Sequence, residues 1–357
     1  MKRFVFNVSL SAISVAAAFF AGCSAAQPIG APGEMPQTTV MAAPADRSGS
    51  WMLPEVKSGD FLYVGGHRVA MFALGSSKPL HVTKLSDYSQ GSGVALDLHG
   101  HLCVSSGNPS YQAIFEYDAQ TLRLEGETDL AGYFFALVAD RYGYLYASSV
   151  FGILVYAPGC TQRVNNLRHG GSALVFDHSG NLYAGLGNAV GVYAPKDRRG
   201  HMRFVREIHD GLRNSVSALA IGPSNDLFVA DEIGRKGGYV LIYPLGGSEP
   251  VKKITAGVET PAHLAVDSKG RLYVANGPYA AGRSGWVSVY APGNTQPQRR
   301  VHVYRAAALA IDPSDNLYVL DNYKRSTVFV YSPGAAKLLR TITEDIGASA
   351  ALLIGSP

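Results

Sequence analysis

Apolar and polar positions along this chain alternate in short runs, and the runs recur. A unit opens with three apolar residues usually closed by Asp, passes a polar turn, and resumes with Leu followed usually by an aromatic residue. The copies are Val94-Ala95-Leu96-Asp97 to Leu102-Cys103, Leu137-Val138-Ala139-Asp140 to Leu145-Tyr146, and Leu174-Val175-Phe176-Asp177 to Leu182-Tyr183. Leu219-Ala220-Ile221-Gly222 to Leu227-Phe228, Leu264-Ala265-Val266-Asp267 to Leu272-Tyr273, and Leu309-Ala310-Ile311-Asp312 to Leu317-Tyr318 continue the series. A seventh copy, Leu62-Tyr63, lacks the opening run. Successive anchoring leucines stand 37 to 45 residues apart. That period is too long for one hairpin and suits a four-stranded propeller blade.

Two residues before each leucine stand Asp60, Gly100, Gly143, Gly180, Asn225, Gly270 and Asp315. These residue types tolerate left-handed backbone, which a type I turn with a bulge needs to close a hairpin. The first two strands of each unit are therefore read as a hairpin. A third strand follows, as in Ile153-Leu154-Val155-Tyr156 and Val287-Ser288-Val289-Tyr290, and Pro-Gly pairs such as Ala157-Pro158-Gly159 break it. The fourth strand is weaker and mixed in polarity, as expected of an outer edge. The chain finishes with Ala350-Ala351-Leu352-Leu353-Ile354, which resembles the opening strand that the first unit lacks. The expected fold is all-β: a single propeller of about seven four-stranded blades, closed by the C-terminal strand joining the first blade. Trp51, Met52 and Leu53 are a rival source for that strand.

The composition agrees, with 40 Gly and 20 Tyr among 357 residues and no helical periodicity. The formal net charge is only +4 and includes Lys2 and Arg3, so it argues against nucleic acid as a partner. Those two residues begin a different kind of segment. An apolar stretch over 8–20 follows, and then Phe20-Ala21-Gly22-Cys23. The stretch is too short to span a bilayer and reads as a signal peptide, residues 1–22. The run into Cys23 resembles the bacterial lipobox, with Phe20 where Leu is usual. The resemblance implies a lipid anchor on Cys23 and a place in the cell envelope, at the outer membrane or the periplasmic face. Cleavage after Ala26 would instead release a secreted soluble protein. Residues 23–50 are rich in Ala, Pro, Gly, Ser and Thr and read as a flexible tether, leaving 51–357 for the propeller. Of the remaining cysteines, Cys103 falls in an apolar strand and Cys160 in a turn. Their spacing requires no pairing, so the expectation is a buried Cys103 and a free Cys160.

The units resemble NHL-type and YVTN repeats and the propellers of sugar-lactone hydrolases. Pro261 to Gly293, with Leu264-Ala265-Val266-Asp267, Gly270, Leu272-Tyr273-Val274-Ala275-Asn276 and Val287-Ser288-Val289-Tyr290, carries the resemblance best. It implies the architecture and leaves function open, since such propellers host enzymes and binding platforms alike. By analogy, the ligand face carries the loops after the second strand and before the first. There the second strands end in Asp231-Glu232, Asn276 and Asp321-Asn322. The following loops hold Arg235, Lys236, Tyr279, Arg283, Tyr323, Lys324 and Arg325; Tyr133, His169, Asn214, His263 and Arg305 precede first strands. Asp231, Asn276 and Asp321 are equivalent in the repeat and could offer oxygen ligands to Ca²⁺ or another divalent cation, as lactone hydrolases do. The competing role is strand-end capping, and Gly66, Ser106, Ser149 and Leu186 leave such a ring incomplete. The repeated Asp at the end of each first strand reads as a turn residue. His99 and His101 form an isolated H-x-H without further ligands signalled nearby. Gly185-x-Gly187 opens no helix, and no nucleophile elbow or triad spacing occurs. The basic run Lys196-Asp197-Arg198-Arg199 reads as solvated surface. The expected function is a non-enzymatic binding or scaffold propeller, tethered to the membrane through Cys23, with a protein, glycan or small-molecule ligand. The alternative is a metal-dependent hydrolase of lactones or related esters.

Overall fold

The computed structural model describes residues 60–85, 90–108, 111–130, 134–149, 151–196, 201–233, 237–277 and 284–357. The readings placed on the signal peptide, Cys23, the tether, and Trp51, Met52 and Leu53 lie outside these residues. What is described is a ring of seven four-stranded antiparallel sheets, a β-propeller. Blade 1 holds β1 (Phe61–Gly66), β2 (Arg68–Ala73), β3 (His81–Lys84) and, from the far end of the chain, β28 (Ser349–Gly355). Blade 2 is β4 (Gln90–Leu96), β5 (His101–Asn108), β6 (Tyr111–Asp118) and β7 (Leu124–Leu130), and blade 3 is β8 (Phe134–Ala139), β9 (Leu145–Ser149), β10 (Gly152–Tyr156) and β11 (Arg163–Leu167). Blades 4 to 7 repeat the pattern from β12 (Leu174–Phe176) to β27 (Leu338–Ile342).

The closure expected from the sequence is present. β28 pairs antiparallel with β1, setting Leu62 opposite Ile354 and Val64 opposite Leu352. Each blade buries its apolar faces against its neighbours. The core that joins Leu320 and Val330 of blade 7 to Leu62, Phe72 and Leu352 of blade 1 seals the ring. Without it, one blade face and one inner edge would meet water.

The left-handed turn positions also hold. Gly100, Gly143, Gly180, Asn225, Gly270 and Asp315 have φ between 63° and 88°. Asp60 has no hairpin to close, because the first two strands of blade 1 come from opposite ends of the chain. Its carboxylate accepts a hydrogen bond from the Ser356 hydroxyl instead.

The repeated Asp is an organiser of the lower face, where the turns between first and second strands meet those between third and fourth. In blade 6, Asp267 Oδ1 accepts the N–H groups of Lys269 and Arg271, and Oδ2 accepts from Arg271 Nε and from the Tyr273 hydroxyl at 2.9 Å. Blades 4 and 7 do the same with Asp177, Asn181 and Tyr183, and with Asp312, Asn316 and Tyr318. Blade 5 lacks both partners. Gly222 replaces the Asp and Phe228 the Tyr, whose ring would lie 2.9 Å from a Cβ at 222.

Two sequence expectations are corrected on this face. Cys103 and Cys160 are joined in a disulfide, with Cα atoms 6.1 Å apart. The turn after β10 lies over β5 of the preceding blade, so a strand cysteine and a turn cysteine 57 residues apart become neighbours. Lys196 is not solvated surface. Its side chain is buried, with Nζ 2.8 Å from Asp140 Oδ2 and over the Tyr144 ring. In blade 3 the side chain in the place of Asn181, Arg271 and Asn316 is that of Tyr144, and the Lys196 ammonium of blade 4 forms an ion pair with Asp140. Residues 197–200 lie outside the described set.

Candidate functional site

The opposite, upper face carries the loops between second and third strands and the crossovers from blade to blade. Asp231 is the last residue but one of β17 (Leu227–Glu232) and is fully buried. Its Oδ2 accepts the Arg213 N–H at 2.8 Å and the Tyr239 hydroxyl at 2.5 Å. Asn276 ends β21 (Leu272–Asn276), accepts the Glu259 N–H at 2.8 Å, and donates to the Gly257 and Val274 carbonyls at 3.2 Å. Asp321 ends β25 (Leu317–Asp321) and accepts three N–H groups, from Tyr304 at 2.8 Å, Tyr323 at 3.0 Å and Arg305 at 3.1 Å. In each blade the side chain ties the incoming crossover to the end of the second strand. Of the two roles weighed for these residues, these bonds are those of capping. Asp231 Oδ1 alone among their oxygens is buried without a hydrogen-bond partner.

The other candidates disperse. His263 lies within β20 (Pro261–Val266), beyond a bulge, and is fully buried. Burial pushes its imidazole down to about 3, so it is neutral at physiological pH. Arg305 is half-buried, and its carbonyl accepts the Asn322 N–H at 3.1 Å. Asn322 Oδ1 has no hydrogen-bond partner. Asn214 is half-buried, and His169 is exposed with its ring 5.1 Å from that of Phe204. Tyr133, Arg235, Lys236, Tyr279 and Arg283 lie outside the described residues.

What the loops of blade 7 do bring together is an aromatic pair. Asp321 clips the backbone of Tyr304, on the crossover, and of Tyr323, on the loop after β25. The two rings stack with centroids 4.9 Å apart and planes within 13°. They remain 53% and 39% exposed, large for tyrosines in a protein that buries so many others. The His302 ring meets Tyr304 edge-on at 5.8 Å, with its Nε2 2.6 Å from Ser284 Oγ. Lys324, held at φ 58°, places its ammonium 5.4 Å from the Tyr323 ring. Sequence reading singled out Tyr323 and Lys324 but missed Tyr304. Its signal was available, as an aromatic two residues before a first strand.

The chain matches no protein-family model and no curated protein sequence. Solved structures resemble it in fold. A functionally unknown protein from Desulfotomaculum acetoxidans superimposes with a TM-score of 0.62 at 15% identity, over 83% of this chain and 99% of its own. A protein from Lactobacillus plantarum gives 0.64 at 13% identity over 83% and 99%. Kuenenia stuttgartiensis hydrazine synthase gives 0.56 at 15% identity over 69% and 78%. At these identities the likeness is one of fold alone, that of a seven-bladed β-propeller.

Proposed function

We propose that this chain is an exported, lipid-anchored binding propeller of the NHL type, held at the cell envelope by Cys23, whose ligand sits on the upper face of blade 7. The observation that carries this reading is the exposed Tyr304–Tyr323 stack. Rigid amphipathic rings offer contact area at low entropic cost. Around them, the Lys324 ammonium and the exposed His302 imidazole supply polar partners. A sugar ring laid flat on a tyrosine and bonded at its edge by such groups fits this chemistry, so envelope glycans are the first class to test. The Cys103–Cys160 disulfide supports export, since such bonds persist in oxidising compartments. Titration of a glycan panel against the chain and its Tyr304→Ala/Tyr323→Ala double variant tests the site. We expect binding lost at least tenfold, or about 1.4 kcal/mol, in the double variant. Binding that survives unchanged removes blade 7 from the reading.

The metal-dependent hydrolase stays as a second reading on one observation, the unpartnered buried Asp231 Oδ1. A rise in unfolding temperature with Ca²⁺ or Mn²⁺ that disappears in Asp231→Asn would favour it.

A further inference from the structure

Blade 2 departs from its siblings at three neighbouring positions. On the second strand, Cys103 stands where the other blades place Tyr or Phe. Opposite it, on the third strand, Glu116 pairs with Cys103. The residues in the same register elsewhere are Met71, Val155, Val192, Ile242, Val289 and Val330. An acid thus replaces an aliphatic side chain in one blade of seven. The third departure is His101, which takes the place held by Asn181, Arg271 and Asn316 as donor to the turn Asp.

That placement fixes the ring. His101 Nδ1 lies 2.8 Å from Asp97 Oδ2 and donates to it, as Asn181 and Asn316 donate to theirs. Nε2 is then turned to the other side, 3.7 Å from Glu116 Oε1. Glu125, on β7, completes a set whose three ligand atoms lie within 4.8 Å of one another. A carboxylate holding one imidazole nitrogen while the other faces further donors is the outer-shell arrangement that orients metal-bound histidines.

Space around the acid is also kept clear. Gly126 lies opposite Glu116 on β7, and a Cβ there would come 2.9 Å from Glu116 Oε2. A Cβ at Gly159, in the turn fixed by the disulfide, would come 3.0 Å from Oε1. Three carboxylates face one imidazole and the exposed Arg123 guanidinium, 2.5 Å from Glu125.

We propose that the outer half of blade 2 is a binding site for a divalent transition metal of the zinc class, with His101 Nε2, Glu116 and Glu125 as ligands and Asp97 orienting the histidine. One nitrogen with carboxylate oxygens suits Zn²⁺ better than Ca²⁺ or Mg²⁺, which take oxygen sets. Tetrahedral ligands at zinc distances lie about 3.3 Å apart, so modest rotation of the two glutamates brings the set together. Two protein carboxylates and one imidazole leave a fourth position for water.

The test uses the full chain, stripped with a chelator and titrated with Zn²⁺ by calorimetry, alongside a thermal unfolding scan. We expect one Zn²⁺ per chain and a raised midpoint. His101→Asn is the deciding variant, because Asn at this position keeps the donor to the Asp in blades 4 and 7. It should fold with an unchanged metal-free midpoint and bind Zn²⁺ at least about tenfold more weakly. Glu116→Gln should lose the same increment. Binding that persists in His101→Asn and Glu116→Gln, or no midpoint rise with millimolar Zn²⁺ in the parent chain, overturns the proposal.

Discussion

Blades 6 and 2 face the same mechanical problem and meet it with different chemistry. Each must fasten its second strand to the turn of the blade that follows. In blade 6 the Tyr273 hydroxyl both donates to Asp267 and accepts the N–H of Gly334 in blade 7, at 2.9 Å. In blade 2 the tyrosine is a cysteine, and the fastening to blade 3 is covalent, through Cys160. Asp97, relieved of a tyrosine partner, accepts from His101 and from the Gly159 N–H at 3.1 Å. The two blades also carry histidines in opposite settings. His263 is sealed in blade 6, where burial pushes its pKa down to about 3. His101 sits near the surface of blade 2, where burial opposes its charge but Asp97 overcomes that and holds its pKa above the ordinary value. A repeat can thus keep one load path while exchanging its parts, and the exchanged parts are where new chemistry gathers.

The largest effect should come from cutting the covalent fastening. The Cys103→Ala/Cys160→Ala variant releases a loop whose ends are 57 residues apart. Loop-closure entropy for that length gives about 4 kcal/mol of lost stability at 25 °C. Denaturant unfolding of the parent chain and the variant, both oxidised, measures it. A loss below about 1 kcal/mol would mean that blade 2 is fastened chiefly by Asp97 and its hydrogen bonds.

The disulfide shows where sequence reading stopped and what would have carried it further. The leucine period, the left-handed turn residues and the missing opening strand of the first unit were enough for seven blades and their closure. These features are local, or belong to the chain ends. Contacts between blades are not local. Yet Tyr63 donates to Ala119 of blade 2, Cys103 bonds Cys160 of blade 3, the Lys196 ammonium of blade 4 lies over the Tyr146 ring, and Tyr273 meets Gly334 of blade 7. One position on the second strand touches the third-to-fourth turn of the following blade each time. Comparing columns across the repeat, instead of reading each unit alone, would have paired Cys103 with Cys160. It would also have moved Lys196 off the surface and exposed Glu116 as an acid in an aliphatic column. On the upper face the three strand-end residues were located correctly in the repeat, but their oxygens bond to crossover backbone whose path the sequence does not reveal. The Tyr304–Tyr323 stack depends on that same path.

The second prediction sharpens the contrast between the two histidines. His263 is neutral in the folded chain down to pH about 3 and has the ordinary value near 6.5 when unfolded. Its folded-state pKa is depressed, so the unfolded chain takes up the proton first as pH falls. The stabilising contribution is complete above the unfolded value and is lost progressively from about pH 6.5 toward 3. Between pH 7 and 5 the loss should be about 2 kcal/mol. His263→Leu should remove that part of the slope whatever its absolute stability, and unfolding curves at the two pH values give the difference. An unchanged slope would mean that the imidazole is protonated inside blade 6.

A third variant isolates the hydrogen-bonded fastening. Tyr273→Phe keeps the ring, buried in the core between blades 6 and 7, and deletes only the hydroxyl. Asp267 keeps its bonds to the Lys269 and Arg271 N–H groups and to the Arg271 side chain, so its charge stays satisfied. The Gly334 N–H, by contrast, loses its acceptor in a buried turn. One ordinary hydrogen bond to a charged acceptor plus one stranded donor puts the loss at about 2 kcal/mol. That is roughly half the value expected for the disulfide, though both join a second strand to the same turn of the next blade. The disulfide acts on the unfolded chain by shortening its free loop, whereas the hydroxyl acts only in the folded one. The two variants should therefore differ in kind as well as size: the cysteine variant should raise the denaturant m-value, because its unfolded state expands, and Tyr273→Phe should leave it unchanged. Equal m-values in the two would place the disulfide's contribution in the folded contacts of blades 2 and 3.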